Sequence, residues 1–214
     1  GVIGLCFFGW AVLCEKFAVG NVCYALIGAA IPLMISGGFH VDGYMDTMDA
    51  FHSYQSREKK LEILKDSHIG AFAAIMLALY YMIDIAAISE IHTQKAVSAV
   101  AAVFFLARCF SGIAVMTLQP AKKEGLLYTF ASSAQKVRVK AALYFQAALC
   151  VAIMLLVSGW YGAAAIGAAL LSFFYFKKKS YKELGGITGD TAGFFVTVCE
   201  AAAAAAVAVA GYFL

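Results

Sequence analysis

Three aspartates stand close together in residues 37–50, whose sequence is GGFHVDGYMDTMDA. Asp42, Asp46 and Asp49 are four and three residues apart, so a helix would place them along one face. Like charges at this spacing repel each other. Their carboxylate oxygens are hard ligands, which suit Mg²⁺ or Mn²⁺ better than Zn²⁺. The segment therefore predicts a divalent-metal site, with a solvated acidic helix start as the alternative.

A glycine-rich turn lies far along the chain, at residues 185–193, with the sequence GGITGDTAG. A turn of this kind that enters a helix exposes backbone N–H groups at the positive end of the helix dipole, where phosphates commonly bind. Gly186, Thr188, Gly189 and Gly193 are therefore candidate phosphate contacts. Glycines also serve plain tight turns, so this signal is weak on its own.

Two charged residues of opposite sign fall inside long apolar stretches. Glu200 lies ten residues beyond Asp190, which corresponds to about 15 Å along a helix. Arg108 lies at a similar depth, about 16 Å from the end of its own apolar stretch. Because a carboxylate at such depth in a bilayer needs a partner, we predict an Arg108–Glu200 ion pair. Its role could be structural, or the pair could line a site.

The elements that must position these residues are membrane helices. Of the 214 residues, 63% are hydrophobic and 14% are charged, against about 25% charged in soluble domains. A spanning helix needs about 20 mostly apolar residues. We therefore expect one catalytic domain over residues 1–214, an all-α polytopic membrane bundle of about seven transmembrane helices. The predicted spans are 1–13, 17–39, 69–89, 96–118, 141–158, 161–176 and 191–214.

The basic residues predict the orientation of this bundle. All but Lys16, Lys95 and Arg108 of the 16 lysines and arginines lie in three polar segments, 42–68, 119–140 and 177–190. Two spans separate each segment from the next, so all three emerge on one face, which the positive-inside rule makes cytoplasmic. The aspartates and the glycine turn are therefore expected together at the cytoplasmic surface. Lys122 and Lys123 would lie there too, as candidate ligands of phosphate oxygens.

The motifs together resemble the cobalamin synthase family, the adenosylcobinamide-GDP ribazoletransferases. Residues 37–49 are similar to the family signature GGxHxDGxxDTxD, and residues 65–70, KDSHIG, to its KDSxxG element. Residues 185–200 are similar to its GGxTGDxxGxxxxxxE element. Arg108 and the KKEGL run at 122–126 fall where that family has an arginine and a basic segment. The elements occur in the family's order across nearly the whole chain.

This resemblance implies a magnesium-dependent enzyme, with Mn²⁺ as the other candidate metal, at the end of cobalamin biosynthesis. It would join adenosylcobinamide-GDP to α-ribazole or its 5′-phosphate and release GMP, in the cytoplasmic membrane of a bacterium or archaeon. The implied metal ligands are Asp42, Asp46, Asp49, Asp66 and Asp190, with His40 and Glu200 nearby. Lys65 and Ser67, in the second motif, would contact substrate or phosphate.

The family usually begins with a further segment containing a Phe-Leu-Thr-Arg stretch, to which nothing here corresponds. The start at Gly1 is therefore interpreted as a truncated or short N-terminus. The lipid bilayer and the two small substrates are the expected partners. No nucleic acid is expected, and the sequence does not indicate an oligomeric state.

The expected chemistry is attack of the ribazole hydroxyl on the phosphorus nearer the corrinoid. Metal ions would neutralise the diphosphate, and one carboxylate would accept the hydroxyl proton. Asp49 is the predicted proton acceptor, with Asp46 and His40 as the other catalytic candidates. A CDP-alcohol phosphotransferase is one alternative, but Asp46-Thr47 stands where its D-G-x-x-A-R signature needs Ala-Arg. A cation transporter is another, although transporters usually place their acids near the bilayer midplane.

Overall fold

The structure is a computed structural model that describes residues 1–122 and 136–213. Regular structure within these ranges is helical, apart from one isolated bridge between Pro120 and Ile187, which confirms the predicted all-α class. The helices of the described ranges are α1 (Val2–Lys16), α2 (Asn21–Ser36), α3 (Phe39–His52), α4 (Arg57–Ile63), α5 (Ala71–Ile88), α6 (Gln94–Thr117), α7 (Lys136–Ser158), α8 (Trp160–Leu184) and α9 (Gly189–Gly211).

Among the described residues, four helices are long and apolar enough to cross a membrane: α5, α6, α7 and α9. Helices α2 and α3 are long and apolar enough only when they are taken together, and a 96° bend separates them. If this bent pair is one span, the count rises to five. The protein is therefore a multi-pass membrane protein, but the predicted count of about seven spans is not confirmed. Helix α1 has only 15 residues. Helix α8 continues past the predicted end at residue 176 into a lysine-rich segment that closes at Leu184.

Helix α9 lies at the centre of the bundle. Nearly every residue from Thr191 to Ala204 is buried, and alanines dominate the second half of this helix. Small side chains let neighbouring membrane helices approach closely. Near its start, Phe194 stacks on Tyr44 of α3 at 5.9 Å between ring centroids, and Phe195 packs against Phe176 of α8 at 5.2 Å. Helix α9 thereby fixes α3 on one side and α8 on the other.

Two consecutive glycines produce the bend between α2 and α3. Gly37 has φ +64° and Gly38 has φ +84°, both in the left-handed region that residues with a Cβ rarely adopt. The chain turns by 96° there, so the 14-residue α3, about 21 Å long, leaves the direction of α2. We therefore treat α3 as lying outside the membrane-spanning segments.

The polar segment after α3 forms the short helix α4, which is bound to the end of α8. Lys60 is only 7% exposed and forms an ion pair with Glu183, which also accepts from Lys179 at 3.1 Å. The two lysines lower the pKa of the Glu183 carboxyl, with the Lys60 hydrogen bond as the largest cause. This cluster lies directly before the Gly185–Gly186 turn, so it links α4 to the entry of α9.

Candidate functional site

Glycines bring α3 against the start of α9. A Cβ at Gly43 would lie 2.8 Å from the carbonyl oxygen of Asp190, and one at Gly193 would lie 3.2 Å from that of His40. The Thr197 hydroxyl, one turn further along α9, donates to the same His40 carbonyl at 3.1 Å. The two helices therefore touch through backbone, and this contact sets Asp190 beside the aspartate face of α3.

The carboxylates of α3 and α9 form one electrostatic cluster. Asp42 is exposed, while Asp46 and Asp190 are partly buried. Burial, followed by the negative charges of Asp42, Asp190 and Asp49, raises the pKa of the Asp46 carboxyl to about 6. The structure thus places Asp190, which the resemblance also implied as a ligand, beside the three aspartates of α3. No hydrogen bond to Asp42 or Asp46 forms among the described residues.

The carboxylate oxygens of this cluster are the type of ligand that suits a hard divalent cation. Their present spacing, however, does not suit one. Carboxylate oxygens are the ligands that Mg²⁺ and Mn²⁺ prefer, and a cation would relieve the repulsion that raises the Asp46 pKa. Within residues 1–122 and 136–213, however, no three histidine, cysteine or acidic side chains stand close enough together to hold a metal ion. Metal binding would therefore require these side chains to move closer together.

Asp49 has a further role that its spacing did not indicate. Its two carboxylate oxygens accept the backbone N–H groups of Gly70 at 2.6 Å and Ala73 at 2.8 Å. These are orphan donors at the start of α5, so Asp49 caps that helix from a distance of 21 residues. A Cβ at Gly70 would collide with the carboxylate, which explains the glycine there. Both oxygens of the predicted proton acceptor are therefore already engaged.

The structure does not bring Asp66 to the cluster. Its side chain is 56% exposed and accepts from the backbone N–H of His68 at 3.0 Å, with the His68 Nδ1 at 2.6 Å. These hydrogen bonds lower the pKa of the Asp66 carboxyl. Lys65 and Ser67 beside it are exposed. The predicted roles of these three residues would require the segment before α5 to fold over the aspartates when substrate binds.

The predicted Arg108–Glu200 ion pair is confirmed. Glu200 is 7% exposed, and Arg108 Nη1 donates both to its Oε1 and, at 2.8 Å, to the carbonyl of Phe104. Arg108 also lies close enough to His40 to act on it. Burial first, and then the Arg108 charge, lower the pKa of His40 to about 4, so this imidazole is neutral at physiological pH. The Arg108–Glu200 pair therefore lies close to the contact between α3 and α9, of which His40 is a part.

The glycine turn is held by the segment that follows α6. The N–H of Ile187 donates to the carbonyl of Gln119 at 2.9 Å, and the N–H of Ala121 donates back to Ile187 at 2.8 Å. A Cβ at Gly186 would collide with this neighbouring backbone. Gly186 is thus required for close packing, whereas Gly189 is exposed at the helix entry.

Thr188 begins α9 with a capping box. Its hydroxyl accepts from the Thr191 N–H at 3.1 Å, and its own N–H donates to the Thr191 hydroxyl at 2.8 Å. The N–H groups of Thr188 and Thr191 are therefore already bonded. Fewer donors remain for a phosphate than the glycine-rich sequence suggests.

Basic side chains surround this turn. Lys122 Nζ donates to the carbonyl of Leu61 at 3.0 Å, which places it between α4 and the turn. The guanidinium of Arg57 packs on Gly185, where any Cβ would collide with it, and donates to the carbonyl of Ala121 at 3.5 Å. Arg57 is not among the residues that the motifs indicate, because its sequence context is that of an ordinary surface helix. Lys123, the other predicted phosphate ligand, lies outside the described residues.

Comparisons with known proteins agree on one family. The family model described as cobalamin-5-phosphate synthase matches residues 1–208. An adenosylcobinamide-GDP ribazoletransferase of Lachnoclostridium phytofermentans is 41% identical over 98% of this chain and 80% of its own length. Proteins of the same name from Mesorhizobium japonicum and Escherichia coli are 32% and 29% identical over 94% and 82% of this chain, covering 75% and 71% of their own lengths. No solved structure matches significantly. The chain therefore belongs to the cobalamin-5-phosphate synthase family.

Proposed function

We propose that this protein transfers the adenosylcobinamide phosphate group from adenosylcobinamide-GDP to a ribose hydroxyl of α-ribazole, or of α-ribazole 5′-phosphate, and releases GMP. Membership of the family and the names of its relatives support this final step of cobalamin assembly. The observation that carries it in the structure is the cluster that joins Asp42, Asp46 and Asp49 of α3 to Asp190 of α9. Phosphoryl transfer between two anionic partners needs such a place for cationic charge.

The metal-binding part of the proposal assigns Asp42, Asp46 and Asp190 as ligands of Mg²⁺ or Mn²⁺. A bound divalent ion supplies charge neutralisation for the diphosphate and the leaving GMP. Asp46 is also the better candidate for proton acceptor, because its oxygens are free of hydrogen bonds to the described residues. The oxygens of Asp49 are instead occupied by the start of α5.

The basic side chains near the glycine turn suggest where the donor substrate, adenosylcobinamide-GDP, binds. Arg57 and Lys122 flank the glycine turn, so the diphosphate of adenosylcobinamide-GDP would bind between that turn and the aspartates. We propose that this site faces the cytoplasm and that the membrane is the cytoplasmic membrane of a bacterium or archaeon. The distribution of lysines and arginines along the sequence supports this orientation.

The test is turnover by the purified full chain in detergent or lipid nanodiscs. With Mg²⁺, adenosylcobinamide-GDP and α-ribazole, we expect equal amounts of GMP and a corrinoid carrying the ribazole, both measured by chromatography. Chelation of the metal should abolish both products, and Mn²⁺ should restore them. Release of GMP without the joined corrinoid would contradict the proposed transfer, as would an absence of both products. A parallel reaction with a CDP-alcohol and an alcohol acceptor should yield no CMP.

A further inference from the structure

Helix α4 carries basic groups to the glycine turn. Arg57 is the first residue of this helix, and its exposed guanidinium packs on the backbone of Gly185. Lys122 reaches the same helix from the segment after α6, through its 3.0 Å hydrogen bond to the carbonyl of Leu61. The Lys122 ammonium also lies within electrostatic reach of Asp190. The positions of both cations at the turn therefore depend on where α4 lies.

A buried ion pair fixes the position of this short helix. A helix of seven residues is not stable by itself in water, so α4 depends on contacts with its neighbours. Lys60 is the one residue of α4 that is buried, with 7% exposure, and its ammonium forms an ion pair with Glu183 in the last turn of α8. The ion pair therefore ties α4 to the chain directly before the glycine turn.

Stability alone does not account for a lysine at this position. Burying an ammonium and a carboxylate costs hydration free energy that their attraction often only balances, and apolar side chains of similar volume frequently do as well. Leu61 and Leu64 pack against the apolar core next to Lys60, so a methionine at position 60 would extend an existing apolar surface. An ion pair adds a defined geometry instead, because the ammonium must meet the carboxylate oxygens of one residue.

We propose that Lys60 and Glu183 are positioning residues, which hold α4 so that the Arg57 guanidinium binds the diphosphate of the donor. This inference rests on the proposed function and adds a determinant of donor affinity to it. Arg57 lies three residues before Lys60, so the two side chains are neighbours on one face of α4. Their contacts, Gly185 and Glu183, are likewise only two positions apart. A guanidinium suits a diphosphate because its planar donors can bond two phosphate oxygens at once.

The experiment removes the buried ammonium and compares the two substrates. Lys60→Met keeps a long unbranched side chain, and Glu183 retains Lys179 as a partner at 3.1 Å. Lys59→Met is the matched control, because Lys59 is the adjacent residue of α4 and pairs with Glu62, but the side chains of that pair are 59% and 67% exposed. We expect Lys60→Met to raise the KM for adenosylcobinamide-GDP by about threefold to tenfold, since a misplaced group binds less well, and to leave the KM for α-ribazole nearly unchanged. Lys59→Met should change neither value.

A double-mutant cycle tests whether Lys60 acts through Arg57. Arg57→Gln should raise the KM for the donor by about tenfold or more, because a charge-assisted hydrogen bond to phosphate is lost. The effects of independent residues multiply, whereas those of coupled residues do not. We therefore expect the Arg57→Gln/Lys60→Met double variant to bind the donor nearly as well as Arg57→Gln alone, because the group that Lys60 positions is already missing.

A binding measurement gives a readout independent of turnover. Equilibrium dialysis of adenosylcobinamide-GDP with the full chain, in the absence of acceptor, should rank the four variants in the same order as the KM values. Circular dichroism melts identify the variants that are folded at the assay temperature. If Lys60→Met does not fold, Glu183→Gln removes the charge of the other member of the pair and should give the same pattern.

The outcomes separate this inference from the function on which it rests. An unmodified protein that forms no product contradicts the proposed function. If the unmodified protein is active, the positioning role alone is overturned when Lys60→Met behaves like Lys59→Met or raises both KM values equally. It is also overturned when the effect of Lys60→Met multiplies with that of Arg57→Gln, which would make the ion pair a purely structural contact.

Discussion

Replacement of Asp49 and Asp46 by alanine should separate the two roles that the structure gives to neighbouring carboxylates of α3. Asp49 accepts two backbone N–H groups from the start of α5, at 2.6 and 2.8 Å. Hydrogen bonds to charged groups contribute about 1.5–3 kcal/mol each, and loss of a capping side chain costs about 0.5–2 kcal/mol. We therefore expect Asp49→Ala to lower the free energy of unfolding by about 2–4 kcal/mol. That corresponds to a fall in Tm of roughly 5–15 °C for a domain of this size.

Asp46→Ala is the matched variant on the same helix and should behave in the opposite way. Asp46 makes no hydrogen bond with the described residues and lies among three other carboxylates. Its removal relieves repulsion, so metal-free Asp46→Ala should unfold at or above the Tm of the unmodified protein. Its turnover should nevertheless be lost, because the charge that holds the metal is gone.

Thermal unfolding of the purified protein in detergent, with and without Mg²⁺, measures both effects. At about 100 times its Kd, a bound metal stabilises the folded state by about 2.7 kcal/mol. This increment should appear in the unmodified protein and in Asp49→Asn, and should shrink in Asp46→Ala. The reasoning is refuted if metal-free Asp46→Ala is destabilised as strongly as Asp49→Ala. Asp49→Asn with normal stability but no turnover would establish Asp49 as the proton acceptor.

Substitutions at three further places probe the contacts that support the site. Arg108→Leu or Glu200→Leu alone should cost about 3–5 kcal/mol, because each leaves its partner charged and buried, whereas the double variant should recover folding without recovering turnover. Gly43→Ala should separate α3 from α9 and lower turnover more than stability, since its Cβ would lie 2.8 Å from backbone. Lys60→Met should make the free energy of unfolding depend less on pH under acidic conditions. The Glu183 carboxyl has its pKa lowered below 4.5, so its contribution is complete above that pH and is lost as the pH falls towards the lowered pKa.

Each of these variants has a control or a contradicting result. Gly9→Ala is the control for Gly43→Ala, because no heavy atom beyond the neighbouring backbone of its own helix lies within 4 Å of the added Cβ. A double Arg108/Glu200 variant that regains turnover would give the ion pair a purely structural role. For Lys60→Met, circular dichroism melts between pH 3 and pH 7 would contradict the assignment if they matched those of the unmodified protein.

The parts of the fold that could be predicted are those that depend on periodicity and depth. Spacing along a helix indicated that Asp42, Asp46 and Asp49 share a face, and equal depth in the bilayer indicated the Arg108–Glu200 pair. Both inferences use only the rise and turn of one helix at a time. The helical class follows in the same way from the length of the apolar segments.

The parts that could not be predicted depend on contacts between distant segments. Spacing shows that Asp49 shares a face with its neighbours, but not that the start of α5 lies against it. Hydropathy marks an end near residue 176, but the helix continues to Leu184, and its last turn is held by the ion pair between Glu183 and Lys60 of α4. Hydropathy predicted one span over residues 17–39, but α2 ends at Ser36 and the glycines at 37 and 38 turn the chain by 96°.

The Arg108–Glu200 pair also bears on how the chain enters the membrane. The two residues are 92 positions apart, so α6 must reach the bilayer well before α9 is synthesised. An arginine near the centre of an inserting helix costs about 2.5–3.5 kcal/mol, and an acidic residue has a similar cost. Until α9 arrives, Arg108 needs water, lipid phosphate or the insertion machinery around it. Membrane integration of α9 would then be coupled to its docking on α6, and α9 is the helix that brings Asp190 to the other aspartates.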